Sequence, residues 1–280
     1  MSKAKISVME AVRAAGDFAR ANVRHVAGVL VAVLVLNIAS GAAVRTPLGF
    51  FIGLAGFVIG VMANAALLRL ALAGDHPGDP EFRIGPQGFQ WGKPELRLLG
   101  AMALLVLFML LAALFLFLIA LVVAVATYSL GDPHAAMPSD YTQLPPNLQL
   151  AFSVLLLIFL LACVWVGVRL CLYPAATITE KKVQLFSTWH LTRGQFWPIF
   201  AALLTLFVPV LLLAMAVQAA SAYPVVQGAL AVVLNVGVTF GVAPMVIGLY
   251  AHLYRTLHPM AAPVAGAPST STLAGPWGSV

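Results

Sequence analysis

Arg69 and Arg169 hold matching places in two similar stretches, LLRLAL at 67–72 and GVRLCL at 167–172, and Lys181 and Lys182 follow the second. Cations gathered at the end of an apolar run suit a lipid phosphate, which an arginine fork grips bidentately. Single cations so placed also snorkel to the headgroup layer, so the four residues carry two readings, a phosphate pocket and a basic fringe. The carboxylates and histidines offer less. Asp75, His76, Asp79 and Glu81 in one connection, and Asp132, His134 and Asp140 in another, are ligand types, but neither set has the fixed helical spacing of a motif such as HExxH. Both lie among Gly and Pro, where Asp is an ordinary turn former. No GxSxG, Walker, Rossmann or CxxC pattern occurs. The expectation is therefore no enzyme, no catalytic residue, no metal and no cofactor. Cys163 and Cys171 are eight residues apart, about 12 Å along a helix, too far to bridge.

The polar residues inside the apolar runs are three amides, Asn37, Asn64 and Asn235. A bilayer offers them no water, so each needs a partner. Asn37 and Asn235 fall at similar depth, which allows a hydrogen bond between the first and last spans, typically worth about 0.6 kcal/mol; the alternative is a polar track for a solute. No Asp, Glu, Lys or Arg falls mid-span, which argues against ion-coupled transport.

These residues are positioned by elements that the composition makes plain. Of the 280 residues 62% are apolar and 9% charged, and the mean hydropathy is +1.00, against about 25% charged in soluble domains. Charge-free intervals cover 25–44, 46–68, 98–131, 141–168 and 194–254. A spanning helix needs about 20 apolar residues. The last interval is long enough for two and is divided by Ser221, Ala222, Tyr223 and Pro224. The fold class that follows is an all-α polytopic membrane protein of six spans, near 26–44, 48–72, 98–127, 149–172, 197–220 and 225–254, within a domain of 25–257. The net charge of +6 needs no nucleic acid, because the basic residues border the spans. With a cytoplasmic N-terminus, 14 of the 15 lie inside and only Arg45 outside, as the positive-inside rule requires. Both termini are thus expected in the cytoplasm. No cleavable signal precedes Arg24, so the first span should direct its own insertion.

Three interfacial segments accompany the spans. Glu10, Arg13, Asp17, Arg20 and Arg24 share one helical face in residues 1–24, opposite Val8, Val12, Ala15, Ala19 and Val23. This is an amphipathic helix on the cytoplasmic leaflet, either an anchor or a sensor of anionic lipid. GPQGFQWGKPELRLLG precedes the third span. Before the fifth, Val183, Phe186 and Trp189 recur every third residue, with Arg193 at the end and Gly194 to close a helix. This predicts an interfacial docking helix over 183–194. Segment, outgoing span and returning span recur three times, a weak repeat of three hairpins. Gly56 with Gly60 and Gly237 with Gly241 have GxxxG spacing and are candidate contact points; Pro209 and Pro244 should kink their helices. Residues 258–280, rich in Pro, Ala, Gly, Ser and Thr, read as a disordered cytoplasmic tail.

The stretch VRLCLYPAATITEKKVQLFSTWHLTRGQFWPIF, through Pro174, Glu180, Ser187, Trp189, Leu191, Thr192, Arg193 and Gly194, resembles the membrane domain of bacterial glycerophosphoryl diester phosphodiesterases and the YciC-like inner-membrane proteins. The rest of 7–256 matches mainly by layout. The resemblance implies a six-helix domain with amphipathic cytoplasmic helices in a bacterial inner membrane. The phosphodiesterases carry their chemistry on a separate soluble domain, so no catalytic residue transfers. The functional expectation is interaction with membrane phospholipid or with a membrane or cytoplasmic partner protein; the alternative is a transporter or permease-like component for an uncharged or amphiphilic solute. The sequence leaves oligomeric state open.

Overall fold

The computed structural model describes residues 6–43, 46–131 and 146–258. Arg45, Asp132, His134, Asp140 and the predicted tail beyond His258 lie outside the described residues. Every regular element among the described residues is helical: α1 Val8–Asn22, α2 Ala27–Ala42, α3 Pro47–Leu72, α4 Lys93–Gly131, α5 Pro146–Leu170, α6 Tyr173–Thr179, α7 Phe196–Ala219, α8 Pro224–Val236 and α9 Ala243–Leu257, joined by short 3₁₀ turns. Six stretches are long and apolar enough to cross a membrane, Val8–Ala42, Pro47–Asp75, Pro86–Val122, Gln149–Thr179, Phe196–Ala222 and Pro224–Leu257. This is the six-span all-α architecture expected, and the chain is an integral membrane protein.

Local chemistry sets the helix ends. Ser7 caps α1 by accepting from the Glu10 amide at 3.5 Å, and Thr46 caps α3 by accepting from Gly49 at 3.3 Å, with Pro47 at the first helical position. A 3₁₀ turn, Val23–Val26, carries α1 into α2, so the amphipathic helix and first span are consecutive. The sixth span is interrupted: α8 and α9 are joined by a π-helical segment, Gly237–Val242. It lies against Pro244, whose ring has no N–H to give the Phe240 carbonyl and would crowd it in a regular helix. Pro209 lies within the continuous helix α7.

The chain divides into two units, 1–101 with 170–280, and 102–169. In the first, α2 pairs with α3, α7 with α8, and α1 lies along α9, which also packs on α3, with α6 against both. Its core residues Leu67, Leu68, Leu72, Leu98, Leu170, Leu172, Ile199, Leu249 and Tyr254 are buried. In a chain that reverses direction at each span, all of these belong to one end of the helices. The apolar window of the third span, by contrast, has 0% of its residues buried. In the second unit Leu110, Phe115, Phe117, Leu157 and Leu161 are uncovered by protein; lipid is the solvent that suits them.

Small residues act at some expected points and not at others. A Cβ on Gly56 would stand 3.5 Å from Leu36 of α2, so this glycine is a contact point, whereas Gly60, Gly237 and Gly241 face open space. A close approach between helices involves Gly248, where a Cβ would come within 2.7 Å of the Phe18 ring. Helix α1 buries Ala11, Ala15, Phe18 and Ala19, at spacings of four, three and one, and leaves Glu10, Arg13, Asp17, Arg20 and Arg24 exposed. The charged face is as predicted; the apolar face covers α9 rather than lipid alone.

The docking helix over 183–194 is a correction. Only Ser187–Trp189 forms a 3₁₀ turn, and the rest is turns and bends. Lys181 at φ 54° and Gly194 at φ 83° break the backbone at either end. Inside, Thr188 Oγ1 donates to the Leu185 carbonyl at 3.3 Å and Thr192 Oγ1 to the Trp189 carbonyl at 3.2 Å, the local bonding by which threonine competes with helix. The buried residues are Leu185, Thr188 and Thr192, while Val183, Phe186 and Arg193 are exposed and Trp189 is half-buried.

Candidate functional site

Charge in the first unit is organised around the connection from α3 to α4, residues 73–92. At the end of α3, Arg69 turns inward, and its Nη2 donates to Glu95 Oε2 at 2.6 Å with both side chains 1% exposed. Glu95 sits in the first turn of α4, where the helix dipole favours an acid. Burying both charges has a large desolvation cost, offset only while they remain together. Arg69 is thus committed within the protein and is not presented to a headgroup.

The carboxylates of the connection are committed as well, each to a cation from a different element. Arg255 of α9 donates from Nε to Asp75 Oδ2 at 2.6 Å and from Nη2 to the Ala71 carbonyl at 2.5 Å, which satisfies the end of α3. Lys181, after α6, lies 2.7 Å from Asp79 Oδ2, and Asp79 Oδ1 accepts from the Glu81 amide at 3.0 Å. Arg97 of α4 donates to Glu81 at 2.8 Å. Exposed pairs of this kind are individually weak in water, but together they fasten one connection to three other elements. The Lys181 hydrogen bond, with the Glu81 amide, holds the Asp79 carboxyl below its ordinary range, and the same bond raises the Lys181 ammonium. Asp75, Asp79 and Glu81 therefore serve as ties, while His76 stacks on Phe82, and no group of three or more metal-ligand side chains is found among the described residues.

The four predicted phosphate cations are placed differently from one another. Arg69 is in the buried pair, Lys181 ties the connection, and Lys182 is exposed. Arg169, in the second unit, sets its guanidinium 5.5 Å from the centroid of Trp165 one turn earlier. Among the amides, Asn235 Nδ2 donates to the Ala231 carbonyl of its own helix at 2.8 Å, so that donor is taken by α8 rather than by Asn37. Asn37 lies beside α3, where its Oδ1 is 3.9 Å from the position of a Cβ on Gly56; Asn64 is half-buried.

Sequence reasoning missed Glu95, Arg255 and a cleft. Glu95 was marked only by being the first acid of the KPEL helix start, and Arg255 by being the one basic residue closing the last span. The cleft, about 920 Å³, opens between the end of α1, the end of α3 and the connection, and the charged and histidine side chains of its lining are His25, His76, Asp79, Arg83 and Arg255. The His76 ring is stacked on Phe82, centroids 4.4 Å apart and planes 21° apart.

What this arrangement offers is a fixed polar platform at the end of apolar helices. No protein-family model matches the chain, and no curated protein or solved structure matches it either.

Proposed function

We propose that this chain is a non-enzymatic protein of a bacterial inner membrane, with both termini cytoplasmic, that acts by binding phospholipid or a partner protein there. The observation that carries the reading is the division of the first unit. Its ion-paired, well-packed part is the basic end, where exposed Lys182 and Arg83 lie beside the ends of the spans, and this is where anionic headgroups meet a membrane protein. The resemblance of 168–200 to YciC-like and phosphodiesterase membrane domains supports the same reading.

A permease-like role needs polar groups along the spans. Asn235 is bonded to its own helix and Asn37 lies against α3, an arrangement that favours the interaction reading. Native mass spectrometry of protein purified in mild detergent tests it. Retained phospholipid, or a stoichiometric protein partner, is the expected result. Bare protein combined with solute flux in proteoliposomes would replace this reading with the permease.

A further inference from the structure

The cleft beside the α3–α4 connection has a lining that joins an exposed cation to apolar walls. We propose that it binds a phosphate ester, with Arg83 meeting the phosphate charge. Four observations carry this.

First, at about 920 Å³ it lies within the size range of small-molecule sites. Second, its charge is net positive. Asp79 on its wall is matched by Lys181, and Arg255 by Asp75, which leaves Arg83, exposed and in no ion pair among the described residues, as the surplus cation, with His25 and His76 beside it. A guanidinium with open donors suits a phosphate in bidentate geometry.

Third, the end of a helix is normally unfavourable to an anion, because its carbonyls carry partial negative charge. Here that end is neutralised, since Arg255 donates to the Ala71 carbonyl. The His76 Nε2, held in place by the stacking of its ring on Phe82, has no hydrogen-bond partner among the described residues.

Fourth, Leu70 and Ala71 line the cleft and belong to the last turn of a span. The cleft therefore sits at the depth where a membrane's own phosphates lie, and Phe82, Ile84 and Leu70 give it apolar walls for the carbon part of an ester. The inference rests on the phospholipid reading only for the source of that phosphate; a soluble phosphate ester has the same recognisable chemistry.

The test is a native mass spectrometry titration of the full chain with dihexanoyl phosphatidylglycerol and, separately, with glycerol 3-phosphate. Binding of the lipid alone identifies a headgroup with its chains, and binding of both identifies the phosphate ester as sufficient; either supports the assignment, and binding of neither overturns it. Arg83→Gln should weaken binding about tenfold, the loss expected for one charge-assisted phosphate contact. Lys93→Gln, an equal charge change at an exposed residue outside the cleft lining, should leave it unchanged.

A second variant acts by volume. A Cβ on Gly74, in the cleft lining, meets nothing within 4 Å, so Gly74→Leu adds bulk at the cleft without touching charge and should weaken binding. Wild-type binding in Arg83→Gln or Gly74→Leu, or equal loss in Lys93→Gln, overturns the assignment. Co-purified phospholipid kept at wild-type level while added ligand fails to bind would remove the cleft assignment and leave the general lipid reading in place. Absence of all co-purified lipid alongside glycerol 3-phosphate binding would do the reverse.

Discussion

At the scale of single residues the largest commitment is Arg69 with Glu95. Both are 1% exposed and 2.6 Å apart, and removing one partner leaves a buried charge alone, a change that typically costs about 3–5 kcal/mol. Glu95→Gln should therefore lower the thermal unfolding temperature of the detergent-purified protein sharply. The double variant Arg69→Met with Glu95→Leu should recover most of the loss, because it removes the desolvation cost with the attraction. Equal loss in the single and double variants would show that the pair is not what holds the site. The Asp79–Lys181 tie responds to pH in a direction the shifts fix. Asp79 is held below its ordinary value of 3.8 and Lys181 above its ordinary value of 10.5. A depressed acid contributes stability that is present above its unfolded value and lost as pH falls through the folded one. A raised base keeps its contribution until pH climbs through its folded value. The tie is thus intact between those limits, and the gap in unfolding temperature between wild type and Asp79→Asn should close only below pH 3.8. A gap that closes already above pH 3.8 would remove Asp79 from the acid response. None of these partners was legible in the sequence. Arg69 and Glu95 are 26 residues apart and Arg255 and Asp75 are 180 apart, and nothing local to either residue specifies the other.

At the scale of elements, periodicity was informative where a helix really repeats and misleading where the backbone breaks. The charged face of α1 follows from spacings of three and four, and the structure leaves those five residues exposed. The stripe of Val183, Phe186 and Trp189 has helical spacing too, yet Lys181 and Gly194 adopt positive φ and two threonines bond back to local carbonyls. A three-residue spacing fits a single 3₁₀ turn as well as a helix, and here it marks the turn at Ser187–Trp189. What the sequence could not show for α1 is its partner. The seat is Gly248 of α9, where an added Cβ would lie 2.7 Å from Phe18 Cδ1 and 3.0 Å from its Cβ. Overpacking of this kind typically costs about 1–3 kcal/mol. Gly248→Ala should destabilise the protein by that order in thermal unfolding, and adding Phe18→Leu should give less than the sum of the two single effects. Strict additivity would mean that the two residues do not share the contact.

At the scale of the whole molecule, span number and placement were legible because both come from one-dimensional quantities, run length and charge position. The helical spans fall close to the predicted intervals, and the departures have a cause in each case. The third span begins early because the KPEL start lies within α4, and the sixth is divided by a π segment at Pro244. The proposed orientation rests on the same charges. Arg69, Arg83, Lys93, Arg97, Lys181, Lys182, Arg193 and Arg255 all lie at or beyond the ends of α3, α4, α6, α7 and α9 that share the buried core, and α1, with exposed Arg13 and Arg20 and with Arg24 in the turn after it, lies along α9. Moving so many cations across a bilayer during insertion is strongly disfavoured, which is the ground for the proposed cytoplasmic placement of this end. In a background without Cys163 and Cys171, single cysteines at Ser139 and Ser269 should then react from opposite sides of the membrane. A membrane-impermeant maleimide added to intact spheroplasts should label the cysteine at 139 and reach that at 269 only after lysis. Labelling of both positions in intact spheroplasts would require an even number of crossings between residues 139 and 269, where the six-span arrangement has three, and that arrangement would fall with it.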